Sequence, residues 1–361
     1  MTMVLRIAGR EFGGWKSASI TRGVEQIASN FSLVISEKWP SNTSPMIRVG
    51  DACEILLNQT KILTGYLDDV LPSYSDQGHE IQLRGRSKTC DILDCSVLKA
   101  KNYDGLKMSL IAKDLIKDFG ISVHTQGDEG NGLTEKVNVG DTPGDVISKM
   151  ALMKGMLVFD NPDGDLVLSD VGSSRIATSI YNKNGETNIV SGGATLSMRD
   201  RYSLYRCVAQ NVGTNENYGL MSATPKGQVA DSNVPRYRPL IVTAEKAAND
   251  SFCQKRAVWE RAWRAGDAVQ LRYSVNGWEA ADGQIWAPNM LVAIEDQILG
   301  ISGTFLISKV SLSIGDGGEM STLTCVPPEA YSLEPTMPKT NESSKFWTAI
   351  EAAGENFEQG F

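Results

Sequence analysis

Apolar positions recur with a period of two through the first ninety residues, which predicts strands. In NFSLVIS, Phe31, Leu33 and Ile35 fall on one face and Ser32, Val34 and Ser36 on the other. Pro40 and Pro45 mark a loop, after which RVGDACEILLNQTKILTGYLDDV predicts two strands joined near Asn58-Gln59. The polar run from Ser73 to Gly78 predicts a turn. HEIQLRGR predicts another strand, with Ile81 and Leu83 on one face.

The period changes near residue 98. Met108, Ile111, Leu115 and Phe119 recur at helical spacing, and Gly120 suits the left-handed residue that ends a helix. A second helix is predicted in DTPGDVISKMALMKG, with Thr142 as its cap, Pro143 in its first turn and Gly155 at its end. MLVFD, the turn NPDGD and LVLSD predict a hairpin. Strand patterns resume around Ala194–Met198 and Tyr202–Ala209, followed by a polar loop, NVGTNENYGLMSATPKG. Thr243 is the expected cap of a helix ending at Gly266, with Ala248, Phe252, Trp259 and Trp263 on its apolar face. VQLRYSVNGW, WAPNMLVAIED, GTFLISKVSLS and MSTLTCV complete the strands.

One β unit is expected twice. GYLDDVLPSYSDQGHEIQLRG and GTFLISKVSLSIGDGGEMSTLTC each run from a glycine through a polar turn into a strand. A strand pair precedes each, and SASITRGVEQIASNFSLVIS resembles GATLSMRDRYSLYRCVAQ. The fold class expected is mixed but mainly β, with two related β-barrel, tube-like domains. The first spans 1–97 and the second 188–214 with 285–332. An α+β domain covers 98–187, an insertion with a Trp-rich helix 215–284, and a C-terminal tail 333–361.

Composition narrows the chemistry. The 361 residues carry a net charge of -8, which argues against a basic nucleic-acid-binding surface. No apolar stretch is long enough to span a membrane, and the first residues lack a signal peptide's apolar run. Folding in a cytoplasm, with reduced and mostly buried cysteines, is the expectation. Only two histidines are present, His79 and His124, so a histidine-rich metal site cannot form within one chain. Both are read as structural, and no catalytic residue, cofactor or metal ligand is assigned. The acidic DGDLVLSD lacks the spacing of a calcium loop, and RGRSK (84–88) is read as a charged strand end. Trp259 and Trp263 fit either an interface hot spot or helix packing. Arg256, Arg261 and Arg264, with Lys255, fit either a contact to an acidic neighbour or channel, or a solvated helix face. In the tail, Phe346 and Trp347, with Ile350 and Phe357, either dock on a neighbouring subunit or spike or stay unfolded.

The blocks GYLDDVLPSYSDQGHEIQLRGRSKTCDILDCS, RYRPLIVTAE, RAVWERAWRA, VNGWEAADGQIWAPNMLVAIED and GTFLISKVSLS, in that order, resemble the baseplate hub proteins of Mu-like contractile-tailed phages. The resemblance spans roughly residues 1–332 and is least distinctive over 110–180. It implies a non-enzymatic homotrimer similar to the hubs of T-even phages, in the virion's tail baseplate. Its two β domains per subunit would join a hexameric tail tube to a trimeric central spike and leave a channel for DNA ejection. The implied partners are the spike, tail tube or tube-initiator proteins, baseplate wedge proteins, and tape measure protein or DNA passing through. The alternatives are a baseplate-borne cell-wall hydrolase, a receptor-binding tail-tip module, and the same hub in a tail-derived injection particle. For the hydrolase, no segment is left over to form its domain.

Overall fold

The structure, a computed structural model, describes residues 3–36, 47–76, 78–172, 174–209, 226–244 and 250–331. The chain opens with strands β1 (Met3–Ile7), β2 (Arg10–Phe12), β3 (Ser17–Gly23), β4 (Asn30–Ser36), β5 (Ala52–Leu57), β6 (Thr60–Ser75) and β7 (Gly78–Ser87). Helix α1 (Cys90–Asp94), β8 (Lys101–Leu106), α2 (Met108–Ile116), β9 (Val123–Gln126), β10 (Leu133–Val137), α3 (Pro143–Lys154), β11 (Leu157–Asp160) and β12 (Leu166–Ser169) follow. Next come the short strands β13 (Ser174–Arg175), β14 (Ile180–Lys183) and β15 (Glu186–Thr187), then β16 (Ile189–Leu196). The last stretch holds β17 (Leu204–Val208), β18 (Lys226–Ala230), β19 (Pro239–Thr243), α4 (Asp250–Asp267), β20 (Val269–Asn276), β21 (Met290–Asp296), β22 (Ile301–Gly315) and β23 (Gly318–Val326).

The chain is mainly β, and its largest element is one 15-stranded sheet built from two halves. The first half runs β3-β4-β7-β6-β5-β1-β2. The second runs β16-β20-β23-β22-β21-β14-β15, with β13 also on β21. The halves match in strand order. In each, a long strand (β6 or β22) forms a hairpin with its successor across a two-residue turn. The hairpins carry a bulge at the same place, at Asp68 in one and Ser308 in the other, counted from paired ends Ser75–Gly78 and Gly315–Gly318. A bulge costs a ladder bond and bends the strand, so two bulges in one register point to one backbone plan used twice. The match fails at one strand, since β1 lies antiparallel to β5 whereas β14 lies parallel to β21.

Each half curls without closing its ladder. Only residues 13–16 link β2, at one edge of the first half, to β3 at the other. The Trp15 indole N–H donates to the Met3 carbonyl at 3.0 Å across that gap. In the second half Asn188 alone separates β15 from β16, and its side chain holds the Tyr181 N–H and the Ser179 carbonyl. The halves join where β3 pairs with β22, from Lys309↔Gly23 to Ile314↔Ala18. One apolar core runs through both, from Leu5, Ile20 and Leu33 to Leu271, Tyr273 and Leu312.

Several local expectations hold. Asn58 and Gln59 both take positive φ in the β5–β6 turn, as the tight turns that follow strand twist require. Thr142 caps α3, its hydroxyl accepting from the Asp145 N–H at 3.1 Å, and Gly120 and Gly155 both take left-handed φ. The α+β region packs Met108, Ile111 and Leu115 of α2 against Ile147 and Met150 of α3.

Others are corrected. β6 continues to Ser75, so the polar turn expected from Ser73 shrinks to the tip of a long hairpin. Neither expected barrel closes by hydrogen bonds among the described residues. The strand matching β4 is β20, which lies beside β16 and β23, and not β17. β17 instead centres a separate sheet, β18-β17-β19, against which α4 packs. The boundaries 215–284 therefore cut across the pairing, because the segment between β16 and β20 is the one that stands apart. Thr243 ends β19 and does not start a helix; α4 is described from Asp250. Phe252 is exposed, while the buried side of α4 carries Cys253, Ala257, Trp259 and Glu260. Gly266 lies inside α4, where its bare Cα lets Ala330 approach: a Cβ there would come within 2.0 Å of the Ala330 Cβ. Ala248, Phe346, Trp347 and the whole tail 333–361 lie outside the described residues.

Candidate interaction site

The aromatic and basic residues singled out in the sequence meet on α4. Trp259 and Trp263, four residues apart, stack with ring centres 6.1 Å apart and planes 15° from parallel. Trp259 is only 6% exposed, whereas Trp263 is half-buried. Arg256 lies over Trp259 at 4.6 Å and Arg264 over Trp263 at 5.4 Å, both within cation–π range. Between them sits Glu260, which the sequence reading missed. Its buried carboxylate accepts from Arg256 at 3.0 Å and from Arg264 at 3.1 Å. The signal was present as arginine, glutamate and arginine at successive four-residue steps on one helix face.

Arg264 also reaches Tyr202, lying 5.3 Å from its ring centre, and Arg238 covers the same ring at 5.2 Å. Beneath, Arg201 and Asp231 form a buried, two-bonded ion pair at 2.7 and 3.2 Å. Arg261 stands apart from the stack, its guanidinium donating to the Ala230 carbonyl at 3.4 Å. So Trp259, Trp263, Arg256 and Arg264 form one rigid layer, fixed by Glu260, with Arg261 at its margin. Its outer end opens onto a cleft of about 290 Å³ between Trp263, Asp267, Gln270, Gly23, Lys309 and Tyr331. That cleft lies beside the β3–β22 joint.

The remaining candidates are engaged locally. In the 84–88 run, Arg86 is clamped by Asp68 and Asp94, each at 2.7 Å, which holds the Asp94 carboxyl below its usual range. His124 lies 3.2 Å from Asp165, and His79 stacks on Tyr74 at the β6–β7 tip. Five cysteines are buried and Cys95 is exposed. Burial pushes the Cys53 and Cys90 thiols up to about 12, so neither is an activated nucleophile. Among the described residues no cluster of His, Cys, Asp and Glu could hold a metal ion. No described helix is long and apolar enough to cross a membrane.

Four domain families match along the chain. Residues 2–87 match the N-terminal domain of GpP-like Mu phage baseplate assembly proteins, and 89–170 the second domain of gp44-like baseplate hub proteins. Residues 201–258 match the third domain of NMB1110-like tail proteins, and 249–334 the fourth domain of the Mu phage baseplate assembly protein GpP. The chain is 27% identical over 350 residues to baseplate hub protein gp44 of Escherichia phage Mu, covering 92% of this chain and 89% of that one. It is similar over most of its length to the Mu-like baseplate hub proteins.

The hub fold is shared by solved tail proteins. The 43 kDa tail protein of prophage MuSo2 from Shewanella oneidensis superposes with a TM-score of 0.80 at 28% identity, over 92% of this chain and 99% of that one. A tail protein of Neisseria meningitidis gives 0.78 at 22% identity, over 91% and 98%. At fold level only, the hub also resembles an Escherichia coli type VI secretion component, itself described as similar to phage T4 tail proteins gp27 and gp5. That match has a TM-score of 0.53 at 9% identity, over 90% of this chain and 76% of that one.

Proposed function

We propose that three copies of this hub protein form a ring in the tail baseplate, without catalysing a reaction. The ring joins a hexameric tail tube above to a trimeric central spike below, and leaves an axial channel for DNA when the spike departs. The observation that carries this reading is the repeated sheet half, with the same strand order and the same bulged hairpin. Three chains with two such halves present six similar backbones, so one ring matches threefold and sixfold partners with a single protein. Wedge proteins would hold its outside, and tape measure protein or DNA would pass through its centre. The Trp259–Trp263 layer with Arg256, Arg261 and Arg264 is the contact proposed for an acidic neighbour, and the tail residues Phe346 and Trp347 the contact proposed for the spike.

Size-exclusion chromatography with light scattering tests the ring directly. A mass of three chains that rises further on adding the spike is expected; a monomer at every concentration would overturn the reading.

A further inference from the structure

The sheet β18-β17-β19 has two faces, and α4 covers one of them. Cys207 of β17 packs on Cys253 and Ala257 of α4, and Tyr205 is buried on the same side. Side chains alternate along a strand, so Leu204, Arg206 and Val208 lie on the other face. The register sets Gln228 of β18 and Ile241 of β19 on either side of Arg206, with Lys226 beside Val208. Among the described residues no strand or helix packs over this face, and Ile241 is 65% exposed.

A cavity of about 310 Å³ opens beside β18, lined by Arg206, Lys226, Gly227, Gln228 and Gln254. Its walls are fixed without the use of its cations. The Gln254 Oε1 accepts from the Gln228 N–H at 3.0 Å, and its Nε2 donates to the Gln228 carbonyl at 3.1 Å. Helix α4 comes this close because residue 227 is glycine: a Cβ there would lie 2.1 Å from the Gln254 backbone nitrogen. Asp250 is engaged as well, accepting from the Lys226 N–H at 2.8 Å. The Arg206 Nε is buried with no acceptor. Among the described residues neither the Arg206 guanidinium nor the Lys226 ammonium is ion-paired. Folded proteins rarely leave a buried donor unmet, and a guanidinium presents its donors as a planar fork that matches a carboxylate.

We propose that this cavity receives a carboxylate from an acidic, partly apolar segment of a partner protein. Arg206 and Lys226 bind the anion, while Leu204, Val208 and Ile241 take the apolar side chains beside it. Charge complementarity makes the occupant acidic. The bare apolar side chains next to the cations make it a protein, because a nucleic-acid phosphate would satisfy the charges and leave Ile241 in water. The site lies across the sheet from the Trp259–Trp263 layer and stands whether or not three copies form a ring.

Fluorescence anisotropy of the full-length protein with a short fluorescein-labelled peptide, alternating glutamate and leucine, tests it. Saturable binding that weakens with added salt is expected. Arg206→Met keeps the apolar stem and removes the fork. It is expected to weaken binding about tenfold or more, the range for a hydrogen bond to a charged group. Its melting temperature should not fall, since the Arg206 guanidinium holds nothing in the fold. Lys226→Gln and Ile241→Ser should each weaken binding less, and Lys113→Gln, exposed on α2, should leave it unchanged. Should Arg206→Met fail to fold, Lys226→Gln and Ile241→Ser, both at exposed positions, carry the same test. Binding that survives these substitutions, or no saturable binding at low salt, would overturn the proposal. A random-sequence DNA duplex bound as tightly, lost with Arg206→Met but indifferent to Ile241→Ser, would make the cavity a phosphate site and exclude the protein occupant. If Arg206→Met lowers the protein's own mass in light scattering, the occupant is a second copy and the proposal falls.

Discussion

Glu260 shows how a single side chain can hold a surface layer in place. It is buried, yet charged partners meet it from both sides, at Arg256 and Arg264. Glu260→Gln keeps the shape but leaves two guanidiniums facing one neutral amide. The loss expected is about 1–3 kcal/mol in chemical denaturation, the range for stranding part of a buried polar network. The near-ultraviolet circular dichroism of the tryptophan stack should weaken in parallel; an unchanged spectrum would show that the stack does not need the carboxylate. Trp259 and Trp263 were legible in the sequence because four residues is the repeat of a helix face. Glu260 was not read, because a glutamate between arginines is by habit assigned to solvent. Only the packing of α4 on β17 and β18 puts it inside.

At the level of elements, the turn and capping signals of several short stretches are legible in the sequence, and the pairing of β20 is not. The turn at Asn58-Gln59, the capped α3 and the strand β20 all follow from short stretches of sequence. The partner of β20 does not. Its alternation says that it is a strand, but β17 has the same alternation and begins near an aromatic residue, as β4 does at Phe31. The choice is made by tertiary fit: β20 buries Leu271 and Tyr273 in the large core, whereas β17 buries Cys207 against Cys253 and Ala257 of α4. The expected end of α4 lies within one residue of the observed one, but Gly266 does not end it by a left-handed turn. Gly266 was read as a stop but serves as a notch for Ala330. Gly266→Val would push the 3₁₀ turn Pro328–Ala330 away from the helix. A loss of about 1–3 kcal/mol is expected from this overpacking, read as a lower melting temperature; an unchanged one would mean that the turn moves freely.

For the whole molecule, the decisive element is the β3–β22 joint, which makes one sheet and one core from two halves by pairing Ala18–Gly23 with Lys309–Ile314 from the far end of the chain. Halves sharing a core should unfold together. Leu312→Ala, at the joint, is expected to cost about 2–5 kcal/mol. It should do so within a single cooperative transition, with tryptophan fluorescence and far-ultraviolet circular dichroism moving together. Two separated transitions would mean that the halves are only loosely coupled.

The hairpin tips carry a further consequence. Both hairpins have the same backbone, down to the bulge, but their ends differ in chemistry: Tyr74 stacks on His79 at one, while Ile314 faces Glu319 at the other. Arranged around a ring, such tips would alternate like the two colours of a chequered border. A sixfold partner gripping main-chain atoms would meet six equivalent handles. A threefold partner reading side chains would see only every second one, and so could find its orientation on the same rim without a separate adaptor.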